Sequence, residues 1–188
     1  GNVWIGNNGG GLDCYNIFNK TMRHFRHDPA DMNTLISNKI YGLFLDSFGK
    51  LWIIVNKGYK QINLLSDDQT KFIHFTHRAK LGIAESKNGN MWFGSNGGFW
   101  QFERKENRFM FIQGDYDLGA VKTVFEDSEG ILWIGCSRGL ARYNPQTEKF
   151  AIFNETCTFP FYDVYGILED NHKNLWISTS NGFVKFIN

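Results

Sequence analysis

The sequence has little proline and cysteine, and neither sign of charge dominates it. Of its 188 residues only three are proline and three are cysteine, and Lys plus Arg number 20 against 19 for Asp plus Glu. A net charge of +1 produces no strong electrostatic attraction to a polyanion, so no nucleic-acid partner is expected. Cys14, Cys136 and Cys157 show no metal-ligand spacing. We interpret Cys14 and Cys136, in or beside predicted strands, as buried free thiols, and we expect no metal and no cofactor.

Long apolar runs and helical patterns are also missing. No run approaches the roughly 20 apolar residues of a membrane span, so this segment is not expected to insert into a membrane. No stretch shows a convincing helical period of useful length. The sequence opens on GNVWIG, already inside a repeat, with no signal peptide. We therefore expect its natural ends to lie elsewhere.

Aromatic residues and glycine are abundant, and they recur at fixed places. Five tryptophans are separated by 40 to 48 residues, and each is followed six positions later by a glycine. Between them lie short apolar strands bounded by turn residues. The tryptophans are Trp4, Trp52, Trp92, Trp133 and Trp176. A tryptophan that recurs in this way serves core packing, so Trp52, Trp92, Trp133 and Trp176 are predicted to be equivalent and mostly buried.

The best-formed repeat is Glu126–Asn144, EDSEGILWIGCSRGLARYN. An Asp-Ser-Glu-Gly turn leads into a strand centred on Trp133, and a Ser-Arg-Gly turn leads into its partner strand, which predicts a β-hairpin. Four short strands per unit and a period in the low forties are typical of propeller blades. We predict an all-β chain: a β-propeller segment of four-stranded antiparallel blades, about four to five repeats in an incomplete ring. The repeats are predicted at about 1–27, 28–79, 80–117, 118–161 and 162–188.

The phrases FLDSFGKLWI, FEDSEGILWIGCSRGLARYNPQTEKF and ILEDNHKNLWISTSNGFVKF resemble the two-component regulator propeller repeat. The resemblance covers essentially the whole chain, with departures at Ile54 and Val55, where small residues are usual, and at Lys173, where the turn glycine is replaced. It implies part of a seven-bladed propeller in the periplasmic sensor region of a hybrid two-component sensor kinase, as in Bacteroides-like bacteria. Such sensors respond to glycan fragments or related small ligands. We expect this segment not to be an enzyme, because no catalytic constellation is evident in it, and any kinase module to lie elsewhere in the full-length protein.

Catalytic and metal sites are not evident. Two histidine pairs, His24 with His27 and His74 with His77, occupy matching outer-strand positions, and residues three apart on a strand point to opposite faces. We therefore interpret these histidines as side chains that recur with the repeat and do not form a metal site. The aspartates six residues before a tryptophan are interpreted as turn formers rather than paired acids; they are Asp46, Asp127 and Asp170. A propeller lyase needs a histidine and a carboxylate at the axis, and His172, on a turn, has no evident second member.

Binding residues are predicted on the loops that join second to third strands, because in a propeller these loops and the linkers between units open on one face. All five loops are polar, and amides and hydroxyls suit sugar hydroxyl groups, although Asn and Ser also favour turns. The candidates are Asn7, Asn8, Asn56, Lys57, Asn96, Arg138 and Asn181. In the linker TCTFPFYD, Phe159, Phe161 and Tyr162 are predicted either to stack on a ligand or to tuck under the neighbouring blade.

Three functional hypotheses remain: a ligand-sensing receptor segment, a structural or protein-interaction propeller, and, least favoured, a propeller lyase. The expected partners are an oligosaccharide or small molecule and the remainder of a propeller receptor. The first unit supplies second, third and outer strands and the last supplies inner, second and third, so the two ends overlap instead of completing one blade. We therefore expect a fragment whose end blades are covered by association, for instance in a homodimer, or by unusual closure.

Overall fold

The computed structural model describes residues 1–80, 82–153 and 163–187, and every regular element in these ranges is a β-strand. The all-β prediction is therefore confirmed. The strands are, in chain order, β1 (Asn2–Asn7), β2 (Gly11–Asn16), β3 (Thr21–Phe25), β4 (Ile40–Leu45), β5 (Leu51–Asn56), β6 (Lys60–Leu65), β7 (Phe72–Phe75), β8 (Ile83–Glu85), β9 (Met91–Gly94), β10 (Phe99–Glu103), β11 (Arg108–Ile112), β12 (Val121–Glu126), β13 (Leu132–Cys136), β14 (Gly139–Asn144), β15 (Lys149–Phe153), β16 (Val164–Glu169), β17 (Leu175–Thr179) and β18 (Gly182–Phe186). Among the described residues, no helix is long and apolar enough to span a bilayer.

The strands form antiparallel sheets in which each strand pairs with its neighbour in sequence. The second, third and fourth sheets are four-stranded: β4 to β7, β8 to β11, and β12 to β15. The first sheet contains β1 to β3 and the fifth contains β16 to β18. In each four-stranded sheet the order is inner strand, tryptophan strand, third strand and outer strand, as predicted for a propeller blade.

The chain divides into two compact units, Gly1–Ala79 and Lys80–Asn188. The core of the first unit joins the first and second sheets: Leu12 packs with Leu35, Ile40 and Ile53, and Trp4 lies partly buried against them. The second unit has two such layers, one between its third and fourth sheets and one between its fourth and fifth. Each layer buries the tryptophan of one sheet against the inner and second strands of the next.

Close approach between neighbouring sheets depends on a glycine two residues after the tryptophan. A Cβ at Gly135 would overlap Val164 of the next inner strand, and one at Gly94 would come within 2.6 Å of the backbone oxygen of Val121. At Gly6 the obstacle would be Ile40, at 2.5 Å. Since side chains cannot be accommodated at such distances, glycine here allows the next inner strand to lie against the tryptophan strand.

A buried carboxylate holds the indole of the tryptophan in the second and fourth sheets. Trp52 Nε1 donates to Asp46 Oδ2 at 2.8 Å, and Trp133 Nε1 donates to Asp127 Oδ2 at 2.6 Å. The other oxygen of Asp127 accepts the backbone N–H groups of Glu129 and Ile131, both at 2.9 Å. The prediction that these aspartates form turns is therefore confirmed, and each one also joins its turn to the core.

The fifth sheet repeats this arrangement nearer to solvent. Trp176 Nε1 donates to Asp170 Oδ2 at 3.0 Å, and Asn174 donates to the same carboxylate. The hydrogen bond from Trp176 has the largest effect and that from Asn174 the next, and together they hold the pKa of Asp170 below its ordinary value. A lowered folded-state pKa means that this stabilisation is complete above the ordinary carboxyl range and is lost only as the pH falls toward the folded-state pKa.

The same turn requires a left-handed residue. Gly49, Gly89 and Gly130 have φ values of 76°, 82° and 82°, and Lys173 takes this place in the fifth sheet with a φ of 65°. A non-glycine residue in this region is strained. The Lys173 ammonium reaches Glu129 Oε1 at 3.0 Å in the neighbouring turn, although both side chains are largely exposed, and such a pair offsets little of the strain.

The prediction that Trp176 is mostly buried is wrong. Trp133 is 1% exposed because Phe153 stacks on it and Phe186 of the fifth sheet meets its edge. Trp176 is 43% exposed. It belongs to the fifth sheet, the last sheet of the second unit among the described residues, so no following sheet of that unit packs on it. Lys185 lies 5.5 Å from its ring centre.

We expect Trp133→Ala to lower the free energy of unfolding by about 3–5 kcal/mol, because it removes a buried aromatic ring and leaves a cavity. Trp176→Ala, the matched substitution at the same register, is expected to cost clearly less. Chemical denaturation of both variants measures the difference. Equal losses would mean that burial between sheets is not what the tryptophan contributes.

The third sheet lacks the carboxylate partner of its tryptophan. Ser86 stands six residues before Trp92, and Trp92 Nε1 is buried without a hydrogen-bond partner among the described residues. The backbone of this turn is satisfied instead by Asn88, whose side-chain oxygen accepts from Asn90 N at 3.0 Å. An unpaired buried donor costs about 1–3 kcal/mol.

Ser86→Asp is therefore expected to stabilise the protein by about 1 kcal/mol, since a carboxylate would accept the Trp92 indole hydrogen at the cost of some desolvation. Asp127→Ser, the reverse change in the fourth sheet, should destabilise it. Thermal and denaturant unfolding provide the readout. A destabilised Ser86→Asp variant would contradict this account of the third sheet.

Candidate functional site

In the first unit, two of the predicted loops meet at the linker before β4. Lys39 forms an isolated bridge with Asn8, and its carbonyl oxygen accepts Asn56 N at 2.9 Å. The carbonyl oxygen of Asn38 accepts Gly9 N and Gly11 N at 3.0 and 2.8 Å. Backbone pairing of the linker with both loops therefore brings them together at one end of the first and second sheets.

The second unit has the same construction. Ala120, in the linker before β12, forms a bridge with Asn96, and its carbonyl oxygen accepts Ser137 N at 2.9 Å. Ser137 Oγ in turn accepts Ala120 N at 2.9 Å. The loop at Asn181 follows Ser180, whose N–H donates to the Asp163 carbonyl oxygen at 3.0 Å. In each unit, we call the end of the sheets that carries these loops the loop layer.

The candidate side chains of the loop layer differ in how much hydrogen-bonding capacity they retain. Asn8, Lys57, Asn96 and Asn181 are exposed, and their side chains make no hydrogen bond to a described residue. These groups are open to a ligand. They are neutral amides except for Lys57, so the layer offers donors and acceptors to hydroxyl groups.

The other candidate side chains of the layer are used or enclosed. Asn7 donates to Asp13 at 3.2 Å, and Arg138 pairs with Asp117 at 2.8 Å, with both side chains of that pair about 60% exposed. Asn56 is half-buried, and its side-chain oxygen has no partner among the described residues. The charge of Arg138 is thus already paired with that of Asp117, so Arg138 is less suited to bind an anionic ligand group.

The structure adds residues that sequence reasoning missed, at the start of the inner strands. Lys122 Nζ lies 2.9 Å from Asp163 Oδ2 and 4.4 Å from the centre of the Tyr165 ring. In the first unit, Lys60 lies 4.6 Å from the centre of the Tyr41 ring. Tyr165 is 53% exposed and Tyr41 40%. The sequence could have indicated these residues, because they share one position, the second residue of an inner strand: Tyr41, Lys122 and Tyr165.

Several predicted features lie outside the described residues or away from the loop layer. Phe159, Phe161, Tyr162 and Cys157 fall outside the described residues. Cys14 and Cys136 are buried and unpaired, and burial raises the pKa of both thiols. Within residues 1–80, 82–153 and 163–187, no cluster of three or more His, Cys, Asp or Glu side chains is arranged to hold a metal ion.

The predicted histidine pairs make separate contacts. His24 Nδ1 lies 2.8 Å from Asp13 Oδ1, and His74 Nε2 lies 2.7 Å from the Thr34 carbonyl oxygen. His27 Nδ1 lies 2.6 Å from the Leu35 carbonyl oxygen. Burial lowers the pKa of His77. The His24 contact joins β3 to β2, and the other two contacts hold the segment between β3 and β4.

Known proteins resemble this chain in sequence. The family described as two component regulator propeller matches residues 116–138 and 158–181. A curated protein from Formosa agariphila named histidine kinase P4 is 26% identical over 165 residues. That match covers 82% of this chain and 12% of the relative, so the chain spans about an eighth of the length of that protein.

Solved structures resemble its fold. The extracellular domain of a putative hybrid two-component system from B. thetaiotaomicron superposes with a TM-score of 0.77 at 23% identity, over 98% of this chain and 25% of that one. Virginiamycin B lyase from Staphylococcus aureus superposes with a TM-score of 0.74 at 17% identity, over 99% of this chain and 66% of the lyase. PorZ of Porphyromonas gingivalis superposes with a TM-score of 0.74 at 14% identity, over 98% of this chain and 30% of PorZ. At these identities the likeness shows the fold alone.

Ser137→Ala should destabilise the second unit by about 0.5–1.5 kcal/mol, because Ala120 N loses the side-chain acceptor that fixes the linker to the loop. Ser180→Ala is the matched control, since the Ser180 hydroxyl makes no hydrogen bond to a described residue, and surface changes of that kind cost less than about 0.5 kcal/mol. Amide hydrogen exchange at Ala120 reports the same loss locally. If the Ala120 amide hydrogen exchanges as slowly in Ser137→Ala as in the unsubstituted protein, Ser137 does not fix the linker to the loop.

Proposed function

We propose that this chain, which matches the two component regulator propeller family at residues 116–138 and 158–181, is a ligand-sensing segment in the extracytoplasmic part of a two-component signalling receptor. The names of its relatives support this role: one is a histidine kinase and another is the extracellular domain of a hybrid two-component system. The segment itself binds and does not catalyse.

The loop layer is the observation that carries the ligand-binding part of this proposal. Backbone pairing with the linkers fixes the loops, while the amides of Asn96 and Asn181 extend from them without a described partner. Fixed loops with open amides lose little entropy when they bind a polyhydroxylated ligand. Tyr165, beside Lys122 at the inner-strand end, adds an exposed aromatic face on which a sugar ring stacks. We propose a glycan fragment or a related small ligand.

A structural or protein-interaction segment is the second candidate, and one observation favours it. The fifth sheet exposes Phe183 at 82% and Leu168 at 63%, and Ile187, directly after its last strand, is 76% exposed. Exposed apolar side chains grouped on one sheet favour contact with another protein surface. Such contact is compatible with a sensor role and would add to ligand binding at the loop layer.

The fold likeness to virginiamycin B lyase does not carry its activity over to this chain. His172, the histidine considered for a lyase site, lies on the turn between β16 and β17, where its backbone N–H donates to Asp170 at 2.9 Å. That turn is at the opposite end of the fifth sheet from the loop at Asn181. The histidine therefore stands apart from the loop layer.

The test is a thermal-shift and calorimetric screen of a glycan library, followed by substitution of the loop layer. We expect a glycan that raises the melting temperature of the chain, and we expect Asn96→Ala combined with Tyr165→Ala to weaken its binding at least about tenfold, from lost hydrogen bonds and stacking. Lys105→Ala, on the β10–β11 turn at the other end of the third sheet, is the control. Binding that survives the double substitution but fails in the control would overturn the assignment to the loop layer.

A further inference from the structure

A second surface of the second unit has the composition of a ligand site. A groove of about 650 Å³ runs between the third and fourth sheets, along the outer strand β11 and the β14–β15 turn. Its volume falls within the range of small-molecule sites in proteins. Both bordering sheets are complete four-stranded sheets, so the groove does not come from a missing strand.

The floor of this groove is aromatic and fixed. The rings of Tyr143 and Phe150 lie 4.7 Å apart, and Phe99 packs against both from within the core, at 5.5 and 6.0 Å. A Cβ on Gly114 would come within 3.2 Å of the Phe150 ring, so the backbone after β11 closes over that side. Phe111, 39% exposed, adds a ring at the rim. Tyr143 and Phe99 are themselves buried, so Phe150 and Phe111 offer the apolar faces of the groove, and packing holds Phe150 in place.

Three side-chain amides border this floor with their hydrogen-bonding capacity unused. The amides of Gln101, Gln113 and Gln146 all lie in the groove lining, and none makes a hydrogen bond to another described residue. Gln101 is half-buried, so its amide is already partly shielded from bulk water. An amide both donates and accepts, as a sugar hydroxyl group does.

The charge of the lining distinguishes between ligands. It contains two carboxylates, Glu103 and Glu148, and no lysine or arginine. Arg108 neutralises Glu103 at 2.6 Å from outside the lining, and Glu148 remains exposed. An anionic ligand would meet the Glu148 charge with no cation in the lining to compensate for it.

We propose that the groove between the third and fourth sheets binds a neutral oligosaccharide, with sugar rings against the aromatic floor and hydroxyl groups on the three glutamine amides. The groove is bordered by the β8–β9 and β14–β15 turns, at the opposite end of these sheets from Asn96 and Arg138. It is therefore distinct from the loop layer, and the inference does not rest on the proposed function.

The experiment is calorimetric titration of the chain with cellohexaose, xylohexaose, mannohexaose and laminarihexaose, and with trigalacturonate as the acidic probe. At least one neutral probe is expected to bind, and trigalacturonate more weakly than that probe. Gln101→Ala combined with Gln146→Ala should weaken neutral binding about tenfold, the effect of losing about 1.4 kcal/mol of hydrogen bonding. Lys105→Ala, at an exposed position outside the groove lining, should leave it unchanged.

Three results would overturn the inference. One is that none of the four neutral probes binds at concentrations up to about 10 mM, where a free energy of a few kcal/mol is still detectable. Another is neutral binding that the glutamine double variant leaves intact, and the third is tighter binding of trigalacturonate. Binding lost in Asn96→Ala and kept in the glutamine variant would assign the ligand to the loop layer and not to the groove, so the two proposals fail separately.

Discussion

In the second, fourth and fifth sheets, the hydrogen bond between an aspartate and the indole of the tryptophan six residues later is the contact that joins the turn to the packing of the sheet. In the fourth sheet one oxygen of Asp127 holds the turn backbone while the other holds Trp133 in the core. A single carboxylate thus ties the local turn to the packing between sheets. The cost of burying this charged carboxylate is offset because it accepts a hydrogen bond from each of the three N–H groups that contact it.

Packing between neighbours follows from this fixed indole. The Trp133 ring presents its far side to Leu175 and Ile177 of the next sheet, and Gly135 leaves room for Val164. The turns interlock as well, since Glu169 accepts both the backbone N–H and the hydroxyl group of Ser128 at 2.8 and 2.9 Å. Each repeat therefore stabilises mainly its neighbours, as in other repeat proteins.

Two polar surfaces result at opposite ends of the sheets in the second unit. At one end the linkers fix the loops that carry Asn96 and Asn181. At the other, Gln101 and Gln146 border the groove between two complete sheets. Both are built on backbone that the repeat core already holds rigid, so variation of loop and turn residues alters binding without altering the fold.

The sequence by itself determined the repeat, the strand order and the turns, because a glycine with positive φ and a tryptophan at a fixed spacing are local requirements. It also located the loops of the candidate site. Only the tertiary structure decided which side chains are free: Arg138 is paired with Asp117, Trp176 is uncovered, and Trp92 is buried without an acceptor. The cluster of Lys122, Asp163 and Tyr165 and the groove at Gln101 and Gln146 join residues far apart in sequence. Such proximity depends on how neighbouring sheets pack, and no spacing along a single strand encodes it.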